Sequence, residues 1–446
     1  MQKKPRTQTI VAIATPASAG AIGIIRLSGE DSLKIALKVF RAKGFERGKI
    51  EPRRMYLGEI SAQNFKDKAF CVFFKSPESY TGEDMVEFHT HGGTSVLKGV
   101  LRLMCDIGAR PATAGEFTKR AFLNGKMTLA VAEGIEDMIN AESEAEAMQA
   151  YRLLSGELAG GIKDTISLLL EAVSTVDASL DYPEELLEDM REPVRQCLCE
   201  AKKNLEETLK SSLVNRHLKD GVTAVIAGLT NVGKSSLLNA LLKEDRAIVT
   251  NIAGTTRDTL KEALEIGGVK INILDTAGIR NSTDEIEKEG IARAKKASQS
   301  ADLVLFVTDL SAPETPEESA FFDSLKGKKI IKIGNKGDIK KYEKGEDIIV
   351  EARAGKNISA LVELIKNALE VSKSGELVIL TRERHIKLTE EALLNISLSL
   401  KNFNNLTADL LSSQIKTAHK LLSQITGTDA SEEIVDKIFS SFCVGK

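Results

Sequence analysis

Cysteine, long apolar runs and net charge are all scarce in this chain of 446 residues, and each scarcity excludes a class of function. The five cysteines, Cys71, Cys105, Cys197, Cys199 and Cys443, fall at no metal-ligand spacing. Their odd number, without secretory context, reads as reduced thiols and not as a disulfide framework. No apolar stretch approaches the length needed to cross a bilayer, so a membrane role is not expected. The basic start Met1 to Arg6, the apolar Ile10 to Ala14 and the small residues Ala17-Ser18-Ala19 imitate a signal peptide. The apolar part is too short, however, before Thr15-Pro16 interrupts it, and Ile22 to Leu27 continues as a second strand. A hairpin is predicted there instead, with the cytoplasm as the default location. A formal charge of -3 gives no polycation for gripping nucleic acid, so no DNA partner is expected. Any RNA contact must come from local basic patches or from a partner.

What is present is a phosphate loop. Gly228-Leu229-Thr230-Asn231-Val232-Gly233-Lys234-Ser235-Ser236 satisfies G-x-x-x-x-G-K-[ST]. Two glycines let backbone N–H groups face a β-phosphate at a helix N-terminus; Lys234 adds a point charge and the Ser235 hydroxyl can ligate Mg²⁺. The apolar run Val222 to Ala227 predicts a strand before the loop, and Ser236 to Leu242 the start of a helix after it. Asp275-Thr276-Ala277-Gly278 follows a predicted strand, Lys270 to Leu274, and supplies a carboxylate for Mg²⁺ and a glycine N–H beside the γ-phosphate. Asn335-Lys336-Gly337-Asp338 follows a β-rich stretch, and the Asp338 carboxylate suits the N1–H and exocyclic amine of guanine, which adenine cannot present together. Glu351-Ala352-Arg353 stands where a last guanine motif is expected, with a backbone N–H for the guanine oxygen. The motifs imply GTP as substrate. Ras-type GTPases orient the attacking water with a Gln, but no Gln occurs from 255 to 297. Glu287, in an acidic switch segment, is the candidate for that task, with Arg280 and Lys234 as further catalytic candidates; a solvated helix carboxylate is the plain alternative for Glu287.

Length predicts about three units. Up to residue 120 short strands such as Ala69 to Phe74 and Met85 to Thr90 alternate with helical segments such as Ser95 to Ile107, an α+β domain. Glu87, His89 and His91 share one strand face and Val86, Phe88 and Thr90 the other, so a polar wall is predicted away from the core. The His-x-His pair has no third metal ligand at a sensible spacing. Beyond residue 127 the pattern turns helical. Apolar stripes run through Leu158, Ile162, Ile166, Leu169, Val173 and Val176, then Val194, Leu198, Ala201, Leu205 and Leu209, then Leu411, Ile415, Ala418, Leu422 and Ile425. These are seams of a helical bundle. They lie on both sides of the phosphate-loop segment. The expected architecture is therefore multidomain α/β plus α: an α+β domain over 1–120, a helical domain in two halves over 121–218 and 373–446, and a doubly wound P-loop domain inserted at 219–372.

The segment Thr250-Asn251-Ile252-Ala253-Gly254-Thr255-Thr256-Arg257-Asp258 matches the first switch of one GTPase branch. Together with Thr81-Gly82-Glu83-Asp84, the run Gly115-Glu116-Phe117-Thr118-Lys119-Arg120-Ala121-Phe122-Leu123-Asn124-Gly125-Lys126 and the terminal Phe442-Cys443-Val444-Gly445-Lys446, it makes the chain resemble the MnmE (TrmE) family of GTPases from Thr9 to Lys446. The resemblance implies K⁺ held by Asn231, the carbonyls of Thr250 and Ile252, and Thr255, with Thr256 joining Ser235 on Mg²⁺. It implies a tetrahydrofolate pocket (5,10-methylene or 5-formyl) made across a homodimer, with Arg26, Glu87, Lys126 and Lys446 at the ligand. It also implies an FAD-dependent partner, MnmG, with which a (carboxymethyl)aminomethyl group is placed on carbon 5 of a tRNA wobble uridine. Cys443 is then a nucleophile candidate, with a small buried hydrophobe as the plain alternative. Ala17-Ser18-Ala19, Ala114, Thr128 and Glu351 depart from the family pattern. The rival expectations are a ribosome-assembly or regulatory GTPase of the same branch and a folate-binding scaffold without turnover.

Overall fold

The computed structural model describes residues 8–16, 18–46, 48–62, 65–181, 191–214, 221–244, 261–266, 269–275, 297–298, 301–369 and 380–445. The chain falls into two compact units. One comprises Met1–Glu136, Leu153–Ala201 and Glu391–Lys446; the other comprises Asp137–Arg152 and Lys202–Glu390.

The first unit opens with β1 (Ile10–Ile13), β2 (Ile22–Ser28), α1 (Ser32–Val39), β3 (Phe40–Ala42), β4 (Met55–Ser61), β5 (Lys66–Phe74), β6 (Met85–His91), α2 (Thr94–Asp106), β7 (Arg110–Pro111) and α3 (Glu116–Leu123). Its seven-stranded sheet runs β3-β4-β5-β6-β2-β1-β7, antiparallel except for the parallel pair of β1 and β7. The expected hairpin is present, with Ile10 opposite Ser28 and Ile13 opposite Ile25. Side chains alternate as a half-covered antiparallel sheet requires. Val11, Ile25, Leu27, Val86 and Phe88 pack with Leu97, Val100 and Met104 of α2 on one face. Ile10 and Ala12 join Phe117 of α3 on the other. That second face also carries Arg26 opposite Glu87, and a cross-sheet row of Leu57, Phe70, His89 and Ile24.

The chain continues through α4 (Leu129–Asn140), α5 (Glu144–Leu154), α6 (Glu157–Asp181) and α7 (Arg191–Val214), and after the second unit's strands through α11 (Glu383–Lys401), α12 (Ala408–Thr426) and α13 (Glu432–Ser440). The predicted stripes are the seams. Every stripe residue of α7 and α12 is buried, as are those of α6 except the half-buried Ile166, and α6 packs along α12. Gly427, at φ +93, ends α12 in the left-handed conformation that stops a helix cheaply.

The second unit holds β8 (Val222–Ala227), α8 (Lys234–Glu244), β9 (Lys261–Ile266), β10 (Val269–Asp275), β11 (Leu303–Asp309), α9 (Pro316–Asp323), β12 (Ile330–Asn335), β13 (Ile348–Ile349) and α10 (Ile358–Ala368). Its sheet order is β13-β12-β11-β8-β10-β9, all parallel but for the β9–β10 hairpin. Val225, Ala227, Val304 and Phe306 meet Phe321 on one face, while Ala224, Ile226, Leu303, Leu305 and Val307 meet the apolar sides of α8 and α10 on the other. Central strands buried on both faces are the reason Val222–Ala227 and Leu303–Thr308 read as nearly continuous apolar runs. The fold is the expected doubly wound one, with the phosphate loop at the carboxyl end of β8.

Candidate functional site

The phosphate loop is held by what its residue types permit. Gly228 lies at φ +145, and a Cβ there would sit 2.3 Å from the Val307 carbonyl oxygen; Gly233 lies at φ +99 with Asn335 Nδ2 2.1 Å from a Cβ. Both are positions for glycine alone. Asn231 is one of the few non-glycine residues at positive φ, at 61°, and is exposed. The helix begins at Lys234, two residues earlier than its apolar residues indicate, because the Gly233 carbonyl already accepts the Leu237 N–H at 2.9 Å. Lys234 Nζ donates to the carbonyls of Gly228 at 2.9 Å and Leu229 at 2.6 Å, so the ammonium lies against the loop. Ser235 is exposed, Ser236 half-buried and Val232 buried. Asp275 closes β10 beside Ile226, so its backbone stands next to the end of β8.

Asn335 does something the motif alone does not disclose. Its Nδ2 donates to the Val232 carbonyl at 2.8 Å and its Oδ1 accepts the Ala352 N–H at 3.1 Å. One amide thus ties the phosphate loop, the strand end and the last guanine motif together. Ala352, expected to offer its N–H to a guanine oxygen, already shares that N–H with Asn335. Lys336 takes φ +63 and Asp338 stands exposed in a short 3₁₀ turn, Gly337–Ile339. The departure at Glu351 has a physical account: its carboxylate pairs with Lys356 at 2.8 Å across a separate turn, where the two residues also form a bridge. Thr250, Asn251, Ile252, Ala253, Gly254, Thr255, Thr256, Thr276, Ala277, Gly278, Arg280 and Glu287 lie outside the described residues, as does Lys446.

A second cluster lies on the first unit's sheet. Arg26 Nε donates to Glu87 Oε1 at 2.7 Å, and the guanidinium lies 5.6 Å from the Tyr80 ring and 5.8 Å from that of Phe117. The backbone carbonyl of Gly445 accepts from Arg26 Nη1 at 3.4 Å, which brings residues 419 apart in the chain together. The carboxyl-terminal segment reaches this point because Val444 bridges Ala114 and Gly115 N–H donates to the Cys443 carbonyl at 3.4 Å. Cys443 itself is exposed, which removes the reading of a small buried hydrophobe. Lys126 Nζ donates to the Pro77 carbonyl at 3.0 Å. His89 Nε2 is buried, has no hydrogen-bond partner among the described residues, and lies 3.6 Å from Glu87. No group of three metal-ligating side chains occurs among the described residues, and no helix among them is long and apolar enough to cross a membrane.

The run 81–84 and the run 115–126 meet in a half-buried charged network beside this cluster. Glu83 accepts from Ser28 Oγ at 2.7 Å and from Arg120 at 2.9 Å; Arg120 also donates to Glu116 at 2.9 Å, and Arg110 to Glu116 at 2.5 Å. Asn124 Nδ2 donates to the Thr81 carbonyl at 2.8 Å. Burial pushes the Glu116 carboxyl up, but hydrogen bonds from Arg110, the Thr113 N–H and Arg120 outweigh it and hold the group at about 2. Sequence reasoning missed Tyr80, Phe117 and this network's purpose; the only signal was that the two runs read as blocks.

Two family profiles match the chain. One, described as the GTP-binding protein TrmE N-terminus, covers residues 9–126; the other, the MnmE helical domain, covers 129–443. The chain is similar to proteins named tRNA modification GTPase MnmE. That of Caldicellulosiruptor saccharolyticus is 40% identical over 452 residues, spanning 98% of this chain and 99% of its own length. That of Aquifex aeolicus is 38% identical over 451 residues, spanning 98% and 100%. Among solved structures, the G domain of the FeoB iron transporter of T. maritima is 28% identical, covering 33% of this chain and 98% of that one at a TM-score of 0.24.

Proposed function

The chain belongs to the MnmE family of tRNA modification GTPases, and from that premise we propose that its GTP hydrolysis is K⁺-dependent and times a folate-fed modification of the tRNA wobble uridine. The observation that carries the nucleotide half is the Asn335 amide, which locks the phosphate loop to the base-reading loop. Loop N–H groups and Lys234 bind the phosphates, Ser235 and Thr256 hold Mg²⁺, and Asp338 selects guanine. K⁺ at Asn231, Thr250, Ile252 and Thr255 would supply positive charge between the β- and γ-phosphates. That is the part an arginine finger plays elsewhere, with effects of about 10³ to 10⁵ in rate. The left-handed turn and exposure of Asn231 leave its amide oxygen available for such a cation. Glu287 positions the attacking water, with Arg280 and Lys234 as further catalytic candidates.

The folate half is supported by the Arg26 cluster. A carboxylate, a half-buried guanidinium between two rings and the unmet ring nitrogen of His89 fit the donor and acceptor edge of a pterin; Lys126 and Lys446 suit its glutamate tail. When bound, the folate would supply the one-carbon unit, and Cys443 stands exposed on the segment whose Gly445 carbonyl meets Arg26. The reading includes a homodimer, MnmG as the FAD-dependent partner and a cytoplasmic site of action. Its test is turnover in KCl against NaCl at equal ionic strength, together with analysis of bulk tRNA from a strain lacking the gene. A sharp fall in Na⁺ and loss of the wobble modification are expected; equal rates in both salts remove the K⁺ assignment, and unchanged tRNA removes the modification role.

A further inference from the structure

The loop that carries Asp338 rests on an acid from the neighbouring strand. Asp309 ends β11 and lies opposite Asn335 in the β11–β12 register. One of its carboxylate oxygens accepts the Ser311 N–H at 2.8 Å and the Ser311 hydroxyl at 2.6 Å; the other accepts Lys336 Nζ at 2.5 Å. The Lys336 ammonium has no other polar partner among the described residues, and the side chain is only 33% exposed. It also occupies the left-handed region at φ +63, which disfavours a lysine and needs a compensating contact. Around this pair the end of β11 grips the loop along its length. Leu310 donates its N–H to the Asn335 carbonyl at 3.1 Å, and its own carbonyl accepts the N–H groups of Lys341 at 2.8 Å and Tyr342 at 3.1 Å. Beneath, Glu318 accepts from Thr308 Oγ1 and pairs with Lys344 Nζ at 2.9 Å, both ionic side chains almost wholly buried.

We propose that Asp309 is a positioning residue for guanine selection: by holding the Lys336 side chain it fixes the left-handed turn that presents Asp338, two residues on, to the base. Burial pushes the Asp309 carboxyl up, yet the hydrogen bonds from Lys336 and Ser311 outweigh it and hold the group below its ordinary range, so the brace is anionic at neutral pH. The inference rests on the reading of Asn335 to Asp338 as the base-reading loop. Removing Asp309 therefore lowers selectivity for the 2-amino group more than it lowers phosphate binding.

The test uses the full chain, with Asp309→Ala and Asp309→Asn, and measures dissociation constants for GDP, IDP and ADP beside the unfolding midpoint without nucleotide. IDP lacks the exocyclic amine that Asp338 accepts. The expected result is a loss of GDP affinity on the order of tenfold, a smaller loss for IDP and a GDP-to-IDP ratio that moves toward one. Combining Asp309→Ala with Lys336→Ala should cost no more than the worse single change, because one acts through the other. Asp309→Asn keeps an acceptor for Ser311 and is the variant to read if the alanine protein does not fold. A wild-type GDP-to-IDP ratio in a folded variant, or equal losses for both nucleotides with a lowered midpoint, overturns the proposal. If the unaltered chain fails to prefer GDP over ADP, the underlying reading of the loop fails instead, and the brace with it.

Discussion

Glu116 shows how much a single side chain can hold when its charge is fully matched. Two guanidinium groups and a backbone N–H converge on its carboxylate, and its own side chain is 12% exposed. A carboxyl held at about 2 in the folded chain and near 4.5 in the unfolded one contributes stability that is fully present above pH 4.5 and is lost as pH falls toward 2. Glu116→Gln should therefore lower stability at pH 7 by about 1–3 kcal/mol. It should also flatten the loss seen between pH 4.5 and 2. Thermal midpoints of both proteins across that interval check it, and parallel curves would count against the network. The partners of Glu116 lie within six residues of it, but the link onward to Glu83 was not legible in the residues alone: Glu83 and Arg120 are 37 positions apart, and only folding brings them to one point. Local patterns reveal residues whose neighbours are close in sequence, which is why the glycines of the phosphate loop were readable and the second task of Asn335, 103 positions from Val232, was not.

Among elements, α3 is the one on which the first unit's site depends, because its start and its end meet different partners. Gly115 precedes it at φ +62, where a Cβ would lie 2.5 Å from the Phe439 carbonyl oxygen; Gly125 follows it at φ +70 with nothing within 4 Å. Gly115→Ala meets both a collision and a conformational cost, whereas Gly125→Ala meets only the cost of about 1 kcal/mol. The first should lower the unfolding midpoint well below the second, and equal midpoints would mean that the carboxyl-terminal helix is not seated on Gly115. Strands were the most readable elements. The alternation of β6 placed Glu87, His89 and His91 on one face as found, and the runs of β8 and β12 gave buried parallel strands. The position of α13 against α3 was not readable, since Phe439 and Phe442 look like any apolar pair.

For the whole molecule, the bare side of the seven-stranded sheet is the feature that bears on assembly. Ile22, Met55, Leu57 and Phe70 are 65%, 51%, 62% and 44% exposed, and Leu57 and Phe70 are directly paired across β4 and β5 on the face that carries Arg26 and Glu87. An apolar patch beside a polar site is what self-association would cover. Static light scattering should give twice the 48.4 kDa chain mass, and Leu57→Glu with Phe70→Glu should halve it. A single-chain mass for the unaltered protein would remove the dimer. The order of domains along the chain was suggested by periodicity and by resemblance, but an unpaired sheet face can be recognised only once the register is known.

The contact between Gly445 and Arg26 has a temporal meaning. A ribosome makes the arginine first and adds its partner 419 residues later. The sheet can thus form early while the flank beside Arg26 stays open, and a polypeptide halted between Arg353 and Phe442 would carry every nucleotide motif yet lack the segment that lies against Arg26. The contact at Arg26 is in this way made only after both compact units have been synthesised up to Phe442.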